Sequence, residues 1–230
     1  MKIRNWLTLG AAALAAALAG PAAAQGNAAS NAGNYPDRPI RLIVPFPPGG
    51  TSDVVGRIFA EALGKQIGQP VVVENRGGAG GTVGSRAVAS ATPDGYTLLL
   101  GTSSTNGTNS AVYKNLPYDA VKDFTPVTQI IRVPGVIVVN KNFPAKDYAA
   151  FFALIKGAPG KYSYASSGNG GATHMAMEYY KSLSGLDMMH VPYRGTGPAL
   201  NDVIAGQVPI LWDTAASSMA HIQSGSLRAI

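Results

Sequence analysis

Two stretches of the sequence combine residue types that can bind an anion through the backbone. Residues 41–53 read RLIVPFPPGGTSD, and residues 162–174 read YSYASSGNGGATH. Each pattern predicts a strand, a glycine-rich turn and the first turn of a helix. Helix N-termini present unpaired N–H groups and the positive end of the helix dipole, and glycine lets a ligand approach the backbone closely. The predicted ligand is therefore a carboxylate or another small anion.

Neither turn carries a nucleotide-binding fingerprint. The first lacks the Gly-Lys-Ser/Thr of a phosphate-binding P-loop, and the second follows no dinucleotide-binding pattern. Taken alone, each turn is as consistent with an ordinary α/β connection as with a ligand site. The occurrence of two such turns in one chain favours a site formed between two lobes.

The predicted ligand-binding residues come from both turns and from the loops after further strands. They are Phe46, Gly49, Gly50, Thr51, Ser52, Asp53, Ser103, Ser166, Ser167, Gly168, Asn169, Gly170, Thr173, His174, Tyr193, Arg194 and Asp213. Phe46 could form either a cleft wall or core. Asp53 would repel a carboxylate, so helix capping is favoured for it over holding water or accepting from a ligand amine.

For each of three other candidate residues, the sequence is consistent with two different roles. His174 lies in a first helical turn, where the dipole disfavours a cation, so a neutral histidine is expected in either a structural or a binding role. Arg194 could fork onto a carboxylate or form a surface or interlobe ion pair. Asp213 could accept from a ligand amine or steady a neighbouring loop.

The elements that must position these residues follow from the hydrophobic pattern. Strands are predicted at 40–44, 71–73 and 96–100, with a helix from Thr51 to about Gly68. Their polar or glycine-rich ends meet at one sheet edge, where ligands bind in open α/β sheets. Extended runs at 127–131 and 136–139 mark the passage into a second lobe. That lobe has predicted strands at 162–165, 188–191 and 208–212, with helices near 147–156, 172–184 and 198–205.

These elements predict the organisation of the chain. Residues 1–24 are a predicted signal peptide, 25–34 a flexible lead, 35–132 the first lobe and 133–225 the second lobe. Residues 226–230 are predicted to start a strand that returns to the first lobe.

The N-terminal sequence and the composition indicate an exported protein. Residues 1–24 have a basic start, an apolar run and an Ala-Ala-Ala ending, which is typical of a cleaved secretory signal. The chain has no cysteine, which excludes disulfides and lipoprotein anchoring and fits a periplasmic protein. The net charge of +6, or +4 without Lys2 and Arg4, is scattered, so a nucleic-acid partner is not expected. No membrane insertion is expected after signal cleavage.

Several motifs together resemble the Bug-type periplasmic receptors of the tripartite tricarboxylate transporter family. They are VPFPPGG at 44–50 with Asp53, VENR at 73–76 with GAGG at 78–81, PDGYTL at 93–98, Ser167-Gly168 with His174, HVPYRG at 190–195, and GQV at 206–208 followed by Asp213. The resemblance implies a type II-like periplasmic binding protein of the α/β class, with two lobes, mixed sheets and an interlobe cleft. It implies a small carboxylated solute and the membrane components of a tripartite transporter as partners. A monomer without cofactor or metal is expected.

One departure from that family and two alternative functions accompany the resemblance. Family members continue past the segment that matches residues 227–230, so the first lobe is expected to be incomplete and the chain to be poorly stable. A sensor that reports to a signalling partner is one alternative. A serine hydrolase using Ser166 or Ser167, His174 and Asp213 is the other, but no Gly-x-Ser-x-Gly elbow is present, so no enzyme is expected.

Overall fold

The structure, a computed structural model, describes residues 34–230. The predicted signal peptide and nearly all of the predicted lead lie outside the described residues. The strands and helices, in chain order, are β1 (Ile40–Val44), α1 (Thr51–Ile67), β2 (Val71–Asn75), α2 (Thr82–Ala89), β3 (Thr97–Leu99), α3 (Asn109–Val112), β4 (Gly135–Asn140), α4 (Tyr148–Lys156), β5 (Ser163–Ser166), α5 (Ala172–Ser184), β6 (Met189–Pro192), α6 (Thr196–Ala205), β7 (Ile210–Thr214), α7 (Ala215–Gln223) and β8 (Leu227–Ala229). A 3₁₀ turn at Ala79–Gly81 precedes α2, and a π-helical turn at Ser104–Thr108 precedes α3.

The first sheet has three parallel strands in the order β2-β1-β3. The central strand pairs Leu42 with Val73 on one side and with Leu98 on the other. Its apolar run is buried, as expected for a strand with neighbours on both sides. Because all three strands run in one direction, the loops that follow them lie at the same edge. We call this sheet and its helices the first lobe.

The second sheet has five strands in the order β6-β5-β7-β4-β8. β5 runs parallel to β6 and β7, whereas β4 runs antiparallel to β7 and β8. The sheet is therefore mixed, and the carboxyl ends of β5, β6 and β7 share one edge. We call this sheet and its helices the second lobe. The predicted α/β class is confirmed, with one parallel sheet and one mixed sheet, while the predicted lobe limits stay predictions.

Side chains along the strands of the second lobe alternate between the two faces of the sheet, and a hydrophobic core forms on each face. Tyr164 and Ile210 pack with Phe151 of α4 on one face. The residues next to them in sequence, Ala165 and Leu211, belong to the core on the opposite face with α6. Because neighbouring strand residues point to opposite faces, one short apolar strand can serve both cores. The first lobe has a smaller core around β1.

Three segments differ from their predicted structure. Residues 127–131 form no strand, although their pattern is apolar and extended. α6 begins at Thr196, two residues before the predicted start, and Pro198 is tolerated in its first turn because no intrahelical hydrogen bond is lost there. β8 pairs with β4 in the second sheet, where Leu227 is buried, whereas the sequence predicts that residues 226–230 start a return to the first lobe.

No helix within residues 34–230 has both the length and the apolar character that crossing a bilayer requires.

Candidate functional site

The first glycine-rich turn follows β1 and is held by Asp53. The Gly49 N–H donates to Asp53 Oδ2 at 3.0 Å, and Asn75 Nδ2 donates to Asp53 Oδ1 at 3.0 Å. Arg57 forms an ion pair with the same carboxylate at 2.9 Å. Burial alone would raise the pKa of Asp53, but the hydrogen bonds from Arg57, Gly49 and Asn75 outweigh it and lower the pKa. A charged Asp53 therefore fixes the turn that precedes α1, while its predicted capping role stays a prediction.

The second glycine-rich turn follows β5 and is ordered by its own hydroxyl groups. The Ser167 N–H donates to Thr173 Oγ1 at 2.8 Å, and the two hydroxyls lie 2.9 Å apart. The Gly168 N–H donates to Ser166 Oγ at 3.1 Å. Ser166, Ser167 and Thr173 are all buried. The hydroxyls of Thr173 and Ser166 thus accept hydrogen bonds from backbone N–H groups of the turn, which leads directly into α5.

Two histidines support the second turn from behind. The Gly170 N–H donates to His174 Nδ1 at 3.1 Å, and Ser166 Oγ lies 2.6 Å from His190 Nε2. The two imidazoles stack with centroids 3.9 Å apart, and His190 also stacks on Tyr164 at 5.0 Å. Burial lowers the pKa of His174, and burial together with the charge of His174 lowers the pKa of His190 to about 4. Both rings are therefore neutral near pH 7, as predicted for His174.

His190 was not among the predicted site residues. Its place follows from strand register, because β5 and β6 are parallel and Tyr164 lies opposite His190. The sequence signal for this residue was the HVPYRG motif at 190–195, which begins with His190.

Both turns lie against the same short stretch, residues 193–197, between β6 and the first turn of α6. A Cβ atom added at Gly195 would lie 2.6 Å from Pro47 Cδ, and one added at Gly168 would lie 2.9 Å from the Tyr193 carbonyl oxygen. A Cβ atom at Gly197 would collide with the Pro48 carbonyl oxygen. The two turns are therefore neighbours at the interface of the lobes, with backbone groups close together.

A hydroxyl cluster joins the N-termini of α1 and α7 across the two lobes. Thr51 Oγ1 lies 2.5 Å from Thr214 Oγ1 and 2.8 Å from Ser217 Oγ. Ser217 and Ser218 in turn donate to Asp213 Oδ2 at 2.6 Å each. Asp213 is fully buried, and burial raises its pKa despite these hydrogen bonds. Asp213 therefore fixes the Ser217 hydroxyl at the start of α7, and that hydroxyl contacts Thr51 of α1.

Ser104, the neighbour of the predicted ligand-binding residue Ser103, makes a third contact between the lobes. Ser103 is exposed, whereas Ser104 is 3% exposed and its Oγ accepts from the Ala172 N–H at 2.8 Å. The π-helical turn that begins at Ser104 shifts the register, so the serine next to the predicted one faces the second lobe. The sequence pattern gave no reason to prefer one of these neighbouring hydroxyls.

The remaining predicted residues are placed unevenly around this interface. Phe46 is buried beside Gly81, and Ser52 is partly buried. The Tyr193 hydroxyl donates to Asp202 at 2.7 Å within the second lobe. Asn169 is exposed, and so is Arg194, which forms no ion pair within residues 34–230. No partner for the predicted surface or interlobe ion pair of Arg194 is therefore found in the described residues.

The side chains proposed for a serine hydrolase do not assemble into a triad. Ser166 contacts His190 instead of His174, and the ring nitrogen Nδ1 of His174 is occupied by a backbone N–H. Asp213 is bound by serine hydroxyls and contacts neither of these histidines. A triad needs an acid that orients the base, and that contact is missing for these residues.

Comparison with known proteins identifies similar chains over most of the sequence. Residues 55–230 match the family model described as tripartite tricarboxylate transporter family receptor. A UPF0065 protein of Bordetella pertussis is 41% identical over 87% of this chain and 62% of its own length. The protein BugT of the same organism is 39% identical with the same coverage. This chain thus spans about 62% of the length of these relatives.

Solved structures agree with that match. A structure described as a periplasmic transporter has a TM-score of 0.84 and 48% identity, and the match covers 86% of this chain and 66% of the other. Rpa4515 of R. palustris, solved with adipate, has a TM-score of 0.83 and 34% identity at the same coverage. MatC of Rhodopseudomonas palustris, solved with bound malate, has a TM-score of 0.78 and 34% identity over 85% and 66%. The matched family is one of receptors and not of enzymes, in agreement with the prediction that no catalysis occurs.

Proposed function

Because this chain belongs to the tripartite tricarboxylate transporter receptor family, we propose that it captures a small carboxylate-bearing solute between its two lobes. One observation carries the proposal: both glycine-rich turns that open a helix lie against residues 193–197 at the lobe interface. The N-termini of α1 and α5, where backbone N–H groups can bind an anion, thereby border a common region. Such groups replace the water shell of an anion without requiring a formal positive charge.

The chemistry of the solute is proposed from the donors available and from two relatives. Adipate and malate are the solutes named for two solved structures of this family. Both are dicarboxylates, and a carboxylate at each end would match two opposing turns. Bridging waters would let turns of similar design accept acids of different length.

The biological setting is proposed as uptake through a tripartite tricarboxylate transporter from the periplasm. The solute-loaded, closed receptor would be the form that the membrane components recognise. Closure stabilised by ligand contacts made only in that state would couple loading to delivery. The proposal includes no catalytic step.

Isothermal titration calorimetry with adipate and with malate tests the proposal. Gly168→Val and Gly49→Val each place a side chain on backbone with φ of +124° and +83° in the two turns, so both should abolish binding. Gly225→Val is the matched control, because its φ of +72° is also positive and a Cβ atom there meets nothing within 4 Å. Circular dichroism should show all three variants folded.

The result that contradicts the proposal is undiminished affinity in both turn variants. Binding that is lost equally in the Gly225→Val control would also contradict it, because the loss would then not depend on the turns.

A further inference from the structure

A segment of the first lobe, residues 104–113, rests directly on the second glycine-rich turn. It consists of the π-helical turn, α3 and Tyr113. We call it the closing segment. None of its residues belongs to the predicted ligand-binding set, yet three of its side chains form hydrogen bonds with the backbone of residues 169–172.

Ser104 supplies a helix cap across the lobe interface. The N-cap residue of α5 is Gly171, which has no side chain that could cap the helix. First-turn N–H groups have no acceptor within their own helix. Ser104 Oγ accepts from the Ala172 N–H at 2.8 Å and is almost fully buried there. A residue of the first lobe thus satisfies a donor that the second lobe leaves unpaired.

The other contacts between the closing segment and the second glycine-rich turn are two hydrogen bonds and one close packing contact. Thr108 Oγ1 donates to the Gly170 carbonyl oxygen at 3.1 Å, and the Tyr113 hydroxyl donates to the Asn169 carbonyl oxygen at 3.4 Å. A Cβ atom added at Gly170 would lie 2.5 Å from Val112 Cγ1, so only glycine allows this approach. The second turn therefore offers both N–H and C=O groups to the closing segment.

The closing segment is itself anchored to the first lobe. Asn109 Nδ2 donates to the Gly80 carbonyl oxygen at 3.0 Å, and the Tyr118 hydroxyl donates to the Thr105 carbonyl oxygen at 2.6 Å. Asn109 and Thr105 are fully buried. Because the segment is fixed to the first lobe, its contacts with residues 169–172 break when the lobes separate.

We propose that the closing segment is a latch that sets the balance between the open and closed forms of the receptor, with Ser104 as its main positioning residue. This inference rests on the proposed function. Ligand affinity falls in proportion to the population of the binding-competent form. A latch residue that does not touch the ligand therefore changes the affinity for every ligand by one common factor.

Calorimetry with two ligands distinguishes a latch from a ligand contact. Removing a helix cap in Ser104→Ala should weaken the binding of adipate and of malate by the same factor, about fivefold. Ser110→Ala is the matched control, because this serine of the same segment is exposed and lies outside the predicted ligand-binding set, so its affinities should not change. Unchanged affinities in Ser104→Ala, or a changed adipate-to-malate ratio, would overturn the inference.

A second measurement needs no ligand. Spin labels at Ile58 and Leu183, which are exposed on α1 and α5, report the distance between the lobes. Ser104→Ala and Thr108→Val should each shift the distance distribution towards longer values than in the parent chain. If neither variant shifts it, the latch is wrong even when carboxylates bind. A shift without any carboxylate binding would support the latch and refute the proposed function.

Discussion

Lowering the pH from 7 to 4 should weaken the fold of the parent chain more than that of a His190→Gln variant. His190 is held between the rings of His174 and Tyr164, and its Nε2 contacts Ser166 Oγ. Glu178 and Lys181 of α5 also face this group, the former favouring and the latter opposing a positive charge. Burial and the neighbouring His174 dominate, so a proton on His190 is disfavoured in the folded protein.

The size of the effect follows from the change in pKa on folding. The pKa of His190 falls from 6.5 to about 4, and one pKa unit corresponds to about 1.4 kcal/mol. Between pH 6.5 and about pH 4 the unfolded chain binds a proton on the His190 imidazole and the folded chain does not. The free energy of unfolding therefore decreases as the pH falls. The stability is complete above the unfolded pKa of 6.5, and the loss by pH 4 is about 3 kcal/mol as an upper limit. The lowered pKa of His174 acts in the same direction.

Urea denaturation at pH 7, 6, 5 and 4 measures this prediction. The free energy of unfolding of the parent chain should fall steeply over this range, and that of His190→Gln should fall with a clearly smaller slope. His221→Gln, which changes the remaining histidine on α7, is the matched control and should keep the parent slope. Equal slopes for the parent chain and His190→Gln would refute the reasoning.

Three further predictions concern stability. Asp53→Ala should cost about 1–3 kcal/mol in urea denaturation, because the Gly49 N–H loses its buried acceptor; an unchanged midpoint would contradict this role. Glu74→Gln should cost less than about 1 kcal/mol, because the ion pair with Arg41 is partly exposed. Arg41 lowers the pKa of Glu74 to about 2, so the difference should persist above pH 4.5 and vanish in thermal melts as the pH falls through 2. Phe151→Ala should cost about 3–5 kcal/mol, because this ring is fully buried, and a loss below about 1 kcal/mol would contradict its core position.

The local elements around the first turn were predictable because their signals lie close together in sequence. The apolar run at 40–44, the prolines after it and the amphipathic stretch from Thr51 fix a strand, a turn and a helix, and the structure has all three. Residues 127–131 carry a similar apolar signal but form no strand. Strand formation requires a partner with free backbone groups, and a short pattern contains no information about that partner.

The choice between Ser103 and Ser104 shows the same limit within the candidate site. Both are hydroxyl residues in one polar loop, and only the π-helical turn decides which of them is buried against the second lobe. His190 was missed for a related reason, since its neighbours His174 and Ser166 lie 16 and 24 positions earlier in the chain. The roles of the predicted ligand-binding residues stay predictions.

Local sequence was sufficient for the two glycine-rich turns, the helices that they open and the α/β class, because each depends on residues within about one turn or strand length of one another. Three features came from the packing of distant segments: both turns lie against residues 193–197, the two histidines stack, and Ser104 caps a helix of the other lobe. Such contacts join segments far apart in the chain. They depend on strand order and lobe packing, which no local pattern specifies.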